Sequence, residues 1–230
     1  MKKILSENYI RASNDKIHKE IKEKNIGQTK VFIKDPISTN VNLDLVFDTL
    51  KQKIPAQFLN NIDYIIIGEF EDLKKRGMNA AYAERVIYLS NNQDDEDDIS
   101  DDIAHEIAHS VEEASGLEIY SGGQLESEFI AKRERLFHLL EAEGFDIEYQ
   151  EFMETEYSEN FDNFLYHEVG YPLMSNLGAN MFYSPYAATS LKEYFANGFE
   201  AYYYHQDRDK LASVSPILFD KLENLDYNKE

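Results

Sequence analysis

The sequence predicts an α+β fold, with a small mixed α/β lobe over residues 1–99 and a mainly helical lobe over residues 100–230. Three observations predict it. Short runs rich in isoleucine, valine and tyrosine mix with a helical stretch in the first hundred residues, and apolar residues recur at helical spacing through much of the remainder. No internal repeat or low-complexity linker marks off tandem domains. A chain of 230 residues with 43% apolar content can bury a sizeable core, as one globular unit or as two lobes sharing a cleft.

In chain order, Glu7 to Lys24 reads as a polar helix and Lys30 to Lys34 as a short strand. Asn42 opens a helix in which Leu43, Leu45, Val46 and Leu50 recur at helical spacing, and Pro55 breaks it. Ile62 to Gly68 and Arg85 to Ser90 read as paired strands joined by a loop containing Gly77 and three alanines. Asn91 to Asp102 concentrates Asp94, Asp95, Glu96, Asp97, Asp98, Asp101 and Asp102. Ser100 or a nearby Asp is expected to cap the following helix, with the other carboxylates in solvent. A calcium loop is the alternative, although the glycine-punctuated EF-hand spacing is absent.

Asp101 to Ala114 then places Ile103, Ala104, Ile107, Ala108 and Val111 on one helical stripe, with Gly116 as a stop. Gln124 to Glu143 is a second helix, with Leu125, Phe129, Leu136 and Leu140 on one face and Gly144 ending it. Asp146 to Glu168 is partly helical, and Gly170, Pro172 and Gly178 make Gly170 to Ser184 an ordered loop. The four tyrosines from Tyr166 to Tyr186, with Pro172, suit core packing, or the wall of a cleft. A further helix begins near Ser190.

Charge narrows the company this chain can keep. With 44 acidic against 23 basic side chains, a formal charge of -21 repels phosphate backbones and anionic lipid, which argues against nucleic acid and membrane and for polypeptides, metal cations or basic partners. Cysteine is absent, so any metal must be held by nitrogen and oxygen. The opening Met-Lys-Lys-Ile-Leu-Ser-Glu-Asn turns polar after two apolar residues, unlike a secretory signal, and no stretch approaches a membrane span; a soluble, cytoplasmic product is expected unless a leader has been removed. Oligomeric state is not legible in the sequence.

Residues 105 to 109 read His-Glu-Ile-Ala-His. At positions i and i+4 of a helix, the imidazoles of His105 and His109 lie one above the other and can converge on one ion, while Glu106 flanks the same site as a general base. The bland reading joins both rings to nearby carboxylates. His18, His138, His167 and His205 have no such partner and read as structural. A third ligand must come from elsewhere, and Glu193 is the candidate. Ser190-Leu-Lys-Glu193 also fits a capping box, in which Glu193 would fold back on the backbone and bind no metal, and spacing alone leaves both readings open.

His105-Glu-Ile-Ala-His109, followed by Glu193-Tyr-Phe-Ala-Asn-Gly-Phe and an aromatic run, resembles the catalytic domain of the anthrax lethal factor family of zinc metallopeptidases, which includes the secreted Pro-Pro endopeptidases. The resemblance extends through Tyr202-Tyr-Tyr-His-Gln-Asp to Ser215-Pro-Ile-Leu-Phe-Asp-Lys-Leu-Glu-Asn-Leu, where Pro216 opens a terminal helix. Residues 110–183 match poorly. The resemblance implies a zincin-like fold forming one catalytic domain, one zinc ion per chain on His105, His109 and Glu193, and Tyr186 pointing into the active site. It places Arg85 to Ser90 as the cleft-edge strand along which a peptide would lie. Where the family carries a carboxylate four residues beyond the ligand glutamate, oriented toward a ligand histidine, this chain has Asn197, with Glu200 as a candidate substitute. Gly198 is expected to ease the approach of the two metal-bearing helices near Ala104 or Ala108.

The function so implied is zinc-dependent endoproteolysis. Glu106 takes a proton from the attacking water and returns it to the leaving amine, and the Tyr186 hydroxyl steadies the developing oxyanion. The alternative is a noncatalytic binding or assembly protein that keeps zinc for stability, its acidic surface recruiting basic partners. Glu106 favours the enzyme.

Overall fold

Short runs in the N-terminal part, richest in isoleucine and valine in its middle strands, build a five-stranded sheet of β1 (Lys22–Ile26), β2 (Thr29–Ile33), β3 (Tyr64–Gly68), β4 (Ala80–Ala83) and β5 (Val86–Ser90) in the order β1-β2-β3-β5-β4. These elements come from a computed structural model, which describes residues 22–38, 41–178 and 180–227 and divides into two units between Ile103 and Ala104. The three middle strands are parallel, and their register aligns Val31 with Ile65 and Ile65 with Ile87, a row buried on one face. Helix α1 (Leu43–Lys53) buries Leu43, Val46, Phe47 and Leu50, and its first amides are capped by Oδ1 of Asn42. Leu45, expected on the same face, is 55% exposed. A short α2 (Ala56–Leu59) follows Pro55.

Three expectations for this unit are corrected. Of the polar helix expected over Glu7 to Lys24, residues 7–21 lie outside the described residues, and Lys22 to Lys24 belong to β1. The supposed loop after β3 contains α3 (Glu71–Arg76), closed by Gly77 at φ 64°, and then β4. That strand pairs antiparallel with β5 across a two-residue turn in which Glu84 (φ 50°) and Arg85 (φ 66°) are both left-handed, the geometry that matches sheet twist in a tight hairpin. Consequently β5 lies between β3 and β4, so Arg85 to Ser90 is not an edge strand.

Helix α4 (Glu96–Tyr120) starts earlier than the apolar stripe suggests, because Oδ1 of Asp95 accepts from the amides of Asp97 and Asp98. Ile103, Ala104, Ile107, Ala108 and Val111 are fully buried, as the 3.6-residue period requires. The helix breaks at Ser115 (φ −125°, ψ 15°), next to the anticipated stop at Gly116, and resumes to Tyr120.

In the C-terminal unit, α5 (Gln124–Ala142) packs Leu136, Phe137 and Leu140 into a core with Phe152, Phe161, Leu165 and Met174. Then come α6 (Tyr149–Met153), α7 (Glu159–Asn163), a π-helical turn (Phe164–Val169) and α8 (Tyr171–Leu177). The ordered loop expected over Gly170 to Ser184 thus contains a helix, with Pro172 in its first turn, where a missing amide hydrogen costs nothing. A 3₁₀ turn (Pro185–Ala188) leads into α9 (Leu191–Phe199), a π-helical turn (Glu200–Tyr204), α10 (Arg208–Val214) and α11 (Pro216–Tyr227). Glu128 of α5 ties these together. Its carboxylate accepts from Tyr194 Oη at 2.7 Å and from the amides of Ile217 (2.9 Å) and Leu218 (3.2 Å) at the positive end of α11. No helix of the described residues is long and apolar enough to cross a membrane.

Gly198 packs on α11, whereas Ala104 or Ala108 was the expected neighbour. A methyl group there would sit 2.3 Å from Cδ2 of Leu218, a side chain only 1% exposed. Overpacking of this kind costs about 1–3 kcal/mol, against about 1 kcal/mol gained from alanine's helix propensity. Gly198→Ala is therefore expected to lower the melting temperature of the C-terminal unit by a few degrees in a calorimetric scan, and an unchanged or raised value would mean that Leu218 can move aside freely.

Candidate metal centre

The helical period of α4 brings the His105 and His109 rings together, their centroids 4.8 Å apart and their Nε2 atoms 3.2 Å apart. Glu193 arrives from the first turn of α9. Its amide donates to Oγ of Ser190 at 3.1 Å, which is half of the capping box, while its carboxylate turns to the histidines. Oε2 lies 2.9 Å from His105 Nε2 and Oε1 lies 3.5 Å from His109 Nε2. The two capping readings are thus both partly realised: the serine caps the helix, and the glutamate faces the imidazoles. All three side chains are at most one-fifth exposed.

The far side of each ring decides its tautomer. Nδ1 of His105 pairs with a Glu200 carboxylate oxygen, and Nδ1 of His109 lies 3.5 Å from Oε2 of Glu112. Carboxylates accept only, so each Nδ1 carries a hydrogen; Nε2 then offers a lone pair when the ring is neutral, and donates when the ring is protonated. Glu193 Oε2 is buried at hydrogen-bond distance from His105, yet has no aligned donor. This grouping needs positive charge among its members, either a proton on His105 or a bound cation. Burial pushes the His105 imidazole down, but Glu200 and then Glu193 outweigh it and hold its pKa well above the ordinary value. Burial likewise raises the Glu193 carboxyl, and the adjoining His105 and His109 bring it below the usual range. The site attracts a cation, and His105, His109 and Glu193 could hold a metal ion.

Asn197 does not serve a ligand histidine. Its Oδ1 accepts from Ser184 Oγ, and the carboxylate beside His105 comes from Glu200, seven residues beyond Glu193 and so on the same helical face, where the helix widens into its π turn. Glu106, next to His105 in the sequence, is buried at 6% exposure. Tyr186, on the 3₁₀ turn, has its ring 6.1 Å from that of His105. Burial, then the Glu193 charge, raises the Tyr186 hydroxyl pKa, so it remains a proton-bearing donor at neutral pH.

Sequence reasoning missed Glu112 and Arg133. Arg133 is 1% exposed, and its guanidinium donates to the carbonyls of Phe152 (3.0 Å), Ala188 (2.8 Å), Thr189 (3.3 Å) and Glu151 (2.6 Å) while stacking 3.9 Å over the Phe161 ring. It thereby clamps the chain between Tyr186 and Ser190, just ahead of the ligand helix. A signal was present, since position 133 continues the apolar stripe of Leu125 and Phe129. His138, His167 and His205 are exposed, and His18 lies outside the described residues. Among the described residues, His105, His109 and Glu193 are the convergent set of metal-binding side chains; the carboxylates of 94–102 form none. No family model, curated protein or solved structure matches the chain.

Proposed function

We propose that the chain is a zinc-dependent endopeptidase of the lethal factor type, with a zincin-like fold and a peptide or protein substrate. The observation that carries the reading is the convergence of the His105 and His109 Nε2 atoms and the buried Glu193 carboxylate into one group able to hold a metal ion. Tetrahedral zinc with bonds of about 2.0–2.1 Å sets its ligands roughly 3.3–3.4 Å apart. The Nε2 atoms are 3.2 Å apart, and the nearer Glu193 oxygen of each ring lies 2.9 Å from His105 and 3.5 Å from His109, so each pair is near that spacing; two imidazole donors favour zinc over larger, oxygen-seeking ions.

His105, His109 and Glu193 would hold the ion, leaving a fourth position for solvent, and zinc there supplies Lewis acidity that polarises a carbonyl and acidifies water. The chain does the rest. Glu200, paired with Nδ1 of His105, would orient that ring toward the ion. Glu106 accepts the proton of the attacking water on its carboxylate and delivers it to the leaving nitrogen. Tyr186 Oη donates a hydrogen bond to the oxygen on which negative charge develops.

A proteome-derived peptide library digested with purified protein and read by mass spectrometry tests this reading. Cleavage that chelator stops and zinc restores is the expected result, and intact zinc without cleavage of any peptide would refute endoproteolysis. Tyr186→Phe is expected to slow turnover about a hundredfold, as loss of an oxyanion donor does, with zinc content unchanged. Wild-type turnover in that variant would remove Tyr186 from the chemistry.

A further inference from the structure

The pairing of Glu112 with both His109 and Tyr120 carries one more step. We infer that Glu112, itself held by Tyr120, is the positioning residue that orients His109 toward the metal; this rests on the zinc reading above. Glu112 is 8% exposed, and a buried carboxylate requires donors. It has two, one per oxygen: Oε2 faces Nδ1 of His109 at 3.5 Å, and Oε1 accepts from the Tyr120 hydroxyl. The result is a chain from phenol to carboxylate to imidazole, ending on the ring whose Nε2 faces Glu193.

This arrangement depends on the break in α4. Along an unbroken helix, residues 112 and 120 are separated by roughly 12 Å of axial rise and by about 80° around the axis, so the two side chains leave different faces more than two turns apart. The non-helical Ser115 lies between them, and past it the chain returns Tyr120 to Glu112. Burial, and then the Glu112 charge, raise the Tyr120 hydroxyl pKa, so it stays protonated as a donor. The two ligand imidazoles therefore have separate supports. Glu200 reaches His105 from beyond α9, and Glu112 reaches His109 from the same helix, one turn on. A carboxylate in this place fixes the tautomer and raises the basicity of the ligand nitrogen.

The test measures zinc affinity of the full chain by competition with a chromophoric chelator, the visible spectrum of the cobalt-substituted protein, and the melting temperature of the metal-free form. Glu112→Gln keeps shape and an acceptor but loses charge, and Glu112→Ala loses both. Zinc binding is expected to weaken about 10- to 100-fold in Glu112→Ala, with partial rescue in Glu112→Gln, and by a smaller factor in Tyr120→Phe. Cobalt bands are expected to shift in all three, while metal-free melting stays near wild type in Glu112→Gln and Tyr120→Phe. Wild-type affinity and cobalt spectrum in Glu112→Gln and Tyr120→Phe overturn the inference, as does a loss of metal-free stability with unchanged zinc binding, which would mark Glu112 as purely structural. Should Glu112→Ala fail to fold, the other two variants decide. Absence of zinc binding by the wild-type chain sinks the zinc reading itself, and the inference with it, a result distinct from failure of the variants alone.

Discussion

Glu106→Gln is expected to lower peptide hydrolysis by about a hundredfold to ten-thousandfold while leaving zinc in place. The substitution is nearly isosteric, which matters because Glu106 is only 6% exposed and a change of volume would be felt by the helix around it. What disappears is the ability to accept a proton. Initial rates on a fluorogenic peptide derived from the library digest, together with metal analysis of the same preparation, separate the two effects. A variant that keeps zinc and keeps its rate would exclude Glu106 as the base. A variant that loses zinc would show that Glu106 supports the metal rather than the proton transfer.

The second large effect concerns Arg133. In Arg133→Met the stem volume is nearly retained, but the carbonyls of Glu151, Phe152, Ala188 and Thr189 lose a shared donor inside the core. Leaving a buried acceptor unpaired costs about 1–3 kcal/mol, and with four carbonyls sharing this donor the loss is expected near the upper end of ordinary single substitutions, about 3 kcal/mol. For a unit of this size that corresponds to a fall on the order of 10 °C in melting temperature. Arg133→Lys is expected to lie between, because an ammonium keeps the charge without the planar fork that spans four carbonyls. The Ala188 and Thr189 carbonyls belong to the segment linking Tyr186 to the cap of the ligand helix, so Arg133→Met should also reduce turnover. If it melts within a degree or two of wild type, the clamp contributes little.

How much of this was legible follows from how local each signal is. The HExxH helix, its buried stripe, the Asn42 cap and the Pro216 start all depend on residues within one or two turns of one another, and these are present as anticipated. Glu193 was legible as a candidate, but its choice between cap and metal site depended on where α4 lies, which spacing does not encode. Glu112 was hidden by abundance: in a chain with 44 acidic residues, a glutamate three positions after a histidine looks like any solvated side chain. The four-residue strand β4 was read as loop, since alanine is a weak strand former and the hairpin turn uses Glu84 and Arg85 in left-handed conformations usually given to asparagine and glycine. The resemblance placed Arg85 to Ser90 at an edge, and β4 covers it. Gly198 signalled close packing correctly and its partner wrongly, because a glycine marks an approach without naming what approaches.

The central claim is that His105, His109 and Glu193 close around one zinc ion, and zinc titration of the dialysed protein by calorimetry, repeated on Glu193→Ala, tests it most directly. The expected result is one tight site per chain in the wild type and at least a hundredfold weaker binding in the variant, with its metal-free fold intact. Equal affinity in the two proteins, or no zinc binding by the wild-type chain, would contradict it.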